Sequence, residues 1–252
     1  MKIVNSHLAH SIKEQGMIKP PNSYGYIQLA AEVELPRPFL SNSASKKTLL
    51  AELKVLCGKL KSSSASVRRV DLFDAFIIPP GANPGLKLID KNGYDVHLAK
   101  FDIVLLIECS TVDDALTLRD SSAFKEIEQV LHDKATYTHS MVAKNANRID
   151  EVSKDSNGIF LFNYFYAEDT QTLLDVWEYT AGWWTAKANL TNSTPIQPVE
   201  AGSQYNLINH CRWDKLIDVL PSLIFKPGLN NFVLKNFTVN NIVAMPILYK
   251  LV

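Results

Sequence analysis

One order of secondary-structure signals occurs twice along the 252 residues, and this repetition limits the fold more than any single motif does. Residues 25–35, "GYIQLAAEVEL", alternate like a strand, and the segment after them carries Leu49, Leu50, Leu53, Leu56, Cys57 and Leu60 at helical spacing. "VRRVDLFDAFII" and "FDIVLLIEC" read as strands, residues 113–132 as a helix and 136–144 as a further strand. After the polar break "DEVSKDSNG" the order restarts. "GIFLFNYFYAE" is a strand and "DTQTLLDVWEYTAGWWTAKA" a helix with Asp169 as its N-cap. "STPIQPVE" and "SQYNLINHCRW" are strands, "DKLIDVLPSLI" a helix and "AMPILYKLV" a closing strand. Both halves read βαββαβ. Laying "LLIECS" over "LINHCR" at a shift of 102 residues matches Leu105 to Leu207 and Cys109 to Cys211.

These signals divide the chain into an extension at 1–24, one module at 25–150 and a second at 158–252. The first module carries an insertion at 79–99: a Pro/Gly run at 79–85, then "KLIDKNGYDVHLA", where Asn92-Gly93 predicts a type I′ turn and a hairpin over 87–97.

With 26 Lys+Arg against 26 Asp+Glu, the chain lacks the basic excess of a nucleic-acid or anionic-membrane binder. No segment approaches the ~20 apolar residues of a membrane span, and residues 1–25 hold no signal-peptide core, so a cytoplasmic setting is expected. Cys57, Cys109 and Cys211 stand far apart with no C-x-x-C, which argues against a disulfide framework and a structural zinc. G-x-G-x-x-G, Walker A, G-x-S-x-G and H-E-x-x-H are absent, so nucleotide, serine-hydrolase and helix-borne zinc chemistry lack their usual marks.

Strand alternation separates the candidate site residues. In "FDIVLLIEC" the odd positions 103, 105, 107 and 109 are all apolar and mark the helix-covered face. Carried over by the repeat, Leu207, Asn209 and Cys211 face the helices, while Asn206, Ile208, His210 and Arg212 face the other side. Aligning Ile27, Leu29, Ala31 and Val33 with Phe160, Phe162, Tyr164 and Tyr166 leaves Gln28, Ala30, Glu32, Leu161, Asn163 and Phe165 on that second face. Strands 1 and 3 of such a module are neighbours, which would set Asn163 roughly 5–8 Å from His210. Two sheets with mixed second faces can close on each other as a barrel. The expected fold is therefore α+β: two tandem ferredoxin-like modules forming one intrachain barrel. Its cavity would be lined by His210, Asn163, Arg212, Asn206, Phe165, Leu161, Glu108 and Glu32.

"FLFNYFYAED", "LLDVWEYTAGWW" and "YNLINHCRWDKL" together resemble the antibiotic-biosynthesis-monooxygenase-like modules of the dimeric α+β barrel superfamily. The resemblance covers about 158–225, reaches 25–150 through the repeat, and does not extend to 1–24. It implies an aromatic-sized cavity with Asn, Trp or His at the chemistry, the first-strand Asn matching Asn163. It also implies ligands such as phenols or quinols. On this reading His210 is the general base and Asn163 the oxyanion stabiliser of a cofactor-independent monooxygenase. Arg212 would be an anion partner. Two alternatives stand beside it: a non-catalytic ligand-binding or assembly protein, and a haem-binding or haem-degrading barrel with His210 as axial ligand. For His210 a satisfied, partly buried imidazole weighs equally with a cavity role, and Glu32 and Glu108 read first as solvated strand charges. No metal, no cofactor other than haem in that alternative, and a homodimer complete the expectations.

Overall fold

In the computed structural model, the first half supplies β1 (Gly25–Glu32), α1 (Ala44–Ser63), β2 (Val67–Ile77), α2 (Asn83–Asn92), β3 (Ile103–Cys109), α3 (Val112–Arg119), α4 (Ser122–His132) and β4 (Tyr137–Asn145). The second supplies β5 (Ile159–Tyr166), α5 (Thr170–Ala188), β6 (Thr194–Pro198), β7 (Leu207–Trp213), α6 (Leu216–Phe225), a π-helical turn (Leu229–Leu234), α7 (Lys235–Val239) and β8 (Val243–Leu251). The structure describes residues 1–252 other than 11–16, 37, 39, 80–82 and 226–227, and describes 83 and 222–225 in backbone only.

Each half orders its strands 4-1-3-2, as β4-β1-β3-β2 and β8-β5-β7-β6, and the pairs β2–β8 and β4–β6 close the two sheets into one antiparallel barrel of eight strands. This is the expected tandem of ferredoxin-like modules, and closure gives every strand a neighbour on both sides, over part of its length at the β2–β8 and β4–β6 seams. Helices α1, α3 and α4 cover the outer face of the first sheet; their apolar residues pack on Ile27, Leu29, Ile103, Leu105 and Ile107, the odd positions the alternation assigns to that side. Helix α5, the π-helical turn and α7 cover the second sheet. Asp169 caps α5 as expected, accepting hydrogen bonds from the Gln171 and Thr172 backbone N–H groups.

Three local expectations are corrected. The helix expected over 113–132 is two helices, because Ser121 caps a new start by accepting the Phe124 backbone N–H. The hairpin expected at 87–97, within 79–99, is helix α2 followed by an irregular segment. Gly93 does take a left-handed backbone, φ 65°, but it does so just past a helix end, where such a residue stops a helix as readily as it turns a hairpin. Of the Pro/Gly run at 79–85, residues 80–82 lie outside the described residues.

The barrel interior is the largest correction. The lumen is filled by side chains, chiefly Phe73, Phe101, Phe160, Phe162, Tyr164, Tyr205 and Tyr249, all fully buried. Phe73 meets Phe160 and Phe162 at ring-centre distances of 5.0 and 5.1 Å, and Tyr164 meets Phe101 and Tyr205 at 5.0 and 5.2 Å. Their hydroxyls are paired within the lumen: the Gln28 amide donates to Tyr164, and Tyr249 donates to the Phe101 carbonyl at 2.8 Å. Connecting segments stop both ends. The link between the halves sends Val152 into the apolar interior and Lys154 to Glu108, at 2.5 Å in a nearly dry ion pair. The segment after α2 sends Val96, Ala99 and Phe101 inward and pairs His97 with Glu32 at 2.7 Å.

Candidate functional site

The strand register decides which candidate side chains can meet. Asn163 lies directly opposite Asn209, and Phe162 opposite His210. Directly opposed residues share a sheet face, so Asn163 belongs with Asn209 on the helix-covered side and His210 belongs with Phe162 in the lumen. The expected neighbourhood of Asn163 and His210 is therefore wrong: they stand on opposite faces of one sheet. Leu161 and Phe165 go with Asn163, packed under the helices rather than lining the lumen.

The other candidates are dispersed. His210 is buried, its ring stacked at 17° on Phe162 with 5.5 Å between centres, and its Nδ1 has no partner. Glu108 and Glu32 sit at opposite ends of the barrel. Glu108 faces Tyr26 across the β1–β3 pair, and Glu32 lies six residues further along β1, about 20 Å. Arg212 binds Asp214, Ser156 and the Asn157 carbonyl, tying down the end of the link between the halves. Asn206 accepts the Ala167 backbone N–H and so closes the β5–β7 end.

Burial without a partner charge fixes the lumen histidines in the neutral form. It lowers the His139 pKa from the ordinary 6.5 to about 4, with a smaller contribution from His97, and pushes His210 well below 6.5, with Lys154 adding to the effect. As pH falls from about 6.5 towards 4, the unfolded chain gains the proton and the native chain does not, so these groups destabilise the fold across that window. The expected loss for His139 is about 3 kcal/mol. Asp102, whose pKa burial raises despite Lys46, runs the other way, so the comparison that isolates the histidine is wild type against His139→Gln. Urea midpoints between pH 7.5 and 4 should fall more steeply in the wild type; parallel curves would contradict this.

A cavity of about 60 Å³ lies between the second sheet and its helices. Its floor is Asn163, Asn209 and Cys211; Trp177, Trp184 and Trp213 wall it; the π-helical turn and α7 roof it through Leu229, Val233, Leu234 and Phe237. Among the described residues its lining carries no charged side chain. Asn209 Oδ1 accepts the Ser193 hydroxyl at 2.7 Å, and Trp213 donates to the Ala188 carbonyl at 2.7 Å. The Asn163 Oδ1 is buried with no partner, an arrangement that costs free energy unless something donates to it. Burial pushes the Cys211 thiol well up, so little of it is reactive thiolate while the cavity stays closed.

From the sequence Asn209 reads as part of the helix-covered face. The available signal was a pair of asparagines on an otherwise apolar, helix-covered face, and it became a pair only once β5 was in register.

Haem does not fit either region. The His210 imidazole is sealed among lumen aromatics, and the cavity under the helices is far smaller than a porphyrin and lined by no histidine. Among the described residues no three His, Cys, Asp or Glu converge as a metal site, and no helix is long and apolar enough to cross a membrane.

Comparison with solved structures returns the same architecture. An anthrone oxidase-like protein superposes with a TM-score of 0.59 at 9% identity, covering 91% of both chains. A candidate monooxygenase from Fusobacterium nucleatum superposes at 0.52 and 8% identity, covering 91% of this chain and 92% of that one. A candidate chlorite dismutase superposes at 0.50 and 9% identity, covering 92% and 95%. At such identities the likeness is one of fold, that of the α+β barrel. No family model matches the chain, and no curated protein does.

Proposed function

We propose that this protein binds a small, uncharged aromatic ligand between β5, β7 and the helices α5 and α7, and that it does so without an acid–base step of its own. The observation that carries the reading is the orphaned Asn163 Oδ1 in an otherwise Trp-lined, chargeless cavity. An ionised ligand there would lose its hydration with no counter-charge. A neutral ring bearing a hydroxyl would stack on tryptophan and donate to the unpartnered acceptor. The site is small: engineered apolar cavities that bind benzene are about 150 Å³, so a single ring needs the walls to yield. Trp184 and Leu234, both only partly buried, are the walls able to do so. The monooxygenase reading requires a base within reach of the substrate proton, and His210 lies on the other face of the sheet.

Phenol and toluene differ only by hydroxyl against methyl. Phenol should bind the wild type about tenfold more tightly, the equivalent of one well-placed hydrogen bond at a buried acceptor. Asn163→Leu should abolish that preference with stability unchanged or raised, since it removes a polar atom that has no partner. Titrations followed by ligand NMR read the preference, and an oxygen electrode with phenol, hydroquinone and anthrone tests for turnover. Binding without oxygen uptake supports the reading. Rapid uptake, or equal affinities that Asn163→Leu leaves unchanged, would overturn it.

A further inference from the structure

We infer that the outer face of the π-helical turn and α7 is a binding site for an extended polypeptide backbone, filled here by residues 2–5 of the chain itself, and that its occupancy holds the roof of the aromatic cavity shut. Two asparagine amides each pair with both main-chain groups, N–H and C=O, of a single residue. Lys2 N–H donates to Asn240 Oδ1 at 2.6 Å while Asn240 Nδ2 donates to the Lys2 carbonyl at 2.8 Å. Val4 N–H donates to Asn236 Oδ1 at 3.0 Å while Asn236 Nδ2 donates to the Val4 carbonyl at 3.0 Å. Each amide thus does what a neighbouring strand would do.

The spacing explains why two such pairs form in register. Positions four apart on a helix rise about 6 Å, and positions two apart in extended chain advance about 6.7 Å. Both amides are also pinned to their own helix, Asn236 Nδ2 to the Phe232 carbonyl and Asn240 Nδ2 to the Asn236 carbonyl, each at 2.8 Å. Asn5 then donates to the Asn231 carbonyl in the π-helical turn, turns left-handed at φ 53°, and leads into a 3-10 turn, Ser6–Leu8, after which Leu8 and Ala9 pack on the helical layer. At Lys2 and Val4 only main-chain atoms make these bonds, so the site selects an extended backbone rather than a sequence.

The turns that hold this strap on their outer face line the cavity with their inner face, through Leu229, Val233, Leu234 and Phe237. A six-residue π-helical stretch is a marginal conformation that its surroundings must hold in place. The strap supplies hydrogen bonds at both its ends, to Asn231 and to the α7 amides.

Alkylation by iodoacetamide, located by peptide mass spectrometry, tests this without any ligand. Cys211 lies in the cavity floor, whereas Cys57 and Cys109 are buried under the helices of the other half. Val4→Pro removes one donor of the ladder and should raise the Cys211 rate about tenfold, leaving Cys57 and Cys109 unchanged. Asn240→Ala, at the far end of the ladder from the cavity, should act the same way. In the full chain, Lys2→Ala combined with Val4→Ala should keep the wild-type Cys211 rate, since only main-chain atoms of these residues make the bonds. An unchanged Cys211 rate in both point variants, or equal acceleration of all three thiols in both, would overturn the inference. Neither result bears on whether the cavity prefers phenol to toluene.

Discussion

Phe162→Ala is expected to cost about 3–5 kcal/mol of stability, the usual loss for emptying a fully packed aromatic position. Phe162 is completely buried and meets the rings of Phe73, Tyr249 and His210. The new void would be bounded by these rings, which are held by the Phe160 contact to Phe73 and by the Tyr249 bond to the Phe101 carbonyl and so can relax little. Phenol affinity in the cavity on the other face of the sheet should stay within about twofold. If the lumen were the ligand site instead, the same substitution would enlarge a space that is already open. Stability would then fall by less than about 1 kcal/mol and ligand preference would shift towards larger rings. Chemical denaturation paired with the phenol titration separates the two.

Lys46→Met is expected to be as damaging, by about 3–5 kcal/mol at neutral pH, for an electrostatic reason. The Lys46 ammonium, 2% exposed, leaves α1 to sit between two carboxylates, 2.7 Å from Asp74 and 2.7 Å from Asp102. Asp102 is fully buried and also accepts the Val33 and Glu34 backbone N–H groups, so it cannot turn out to water without giving up both. Methionine matches the stem and removes the charge, leaving two carboxylates facing each other. Burial already raises the Asp102 pKa above its ordinary 3.8 although Lys46 opposes this; without Lys46 it rises further. The native variant then takes up a proton at a pH where the unfolded chain does not, so its deficit should shrink as pH falls through that raised pKa. Urea unfolding of both proteins from pH 7 to 4.5 reads the convergence. A deficit that stays constant or widens towards acid would contradict this assignment of charge.

Particular strands show why the sequence reveals the fold more readily than the site. In β3 only the odd positions are uniformly apolar, and the repeat carries that parity to β7, where Asn209 and Cys211 do lie under the helices and His210 does face the lumen. In β5 the sequence "IFLFNYFY" is apolar on both faces because both are buried, Phe160, Phe162 and Tyr164 in the lumen and Leu161 and Phe165 under helices. Alternation cannot orient such a strand. The pairing sets Gln28 against Leu106 and Tyr164 against Ile208, so Gln28 corresponds to Tyr164, whereas the sequence alignment set Ile27 on Phe160. The two offsets differ by three residues, an odd number, and every side chain of β5 changes face. Asn163 was thereby paired with the wrong partner. The packed lumen was equally hidden: mixed faces imply that two sheets meet, but whether they enclose space depends on side-chain volume and on the connecting segments. Here Phe101 and Val152, both outside the strands, occupy part of the interior that strand faces alone would leave open.

The most direct measurement is a crystal structure of the protein soaked with phenol. Density for a ring is expected between β5, β7 and α5, against the indoles of Trp177 and Trp184, with the hydroxyl within hydrogen-bond distance of Asn163 Oδ1. Density inside the barrel against Phe162 and His210, with the helix-covered cavity unchanged, would contradict the placement of the site.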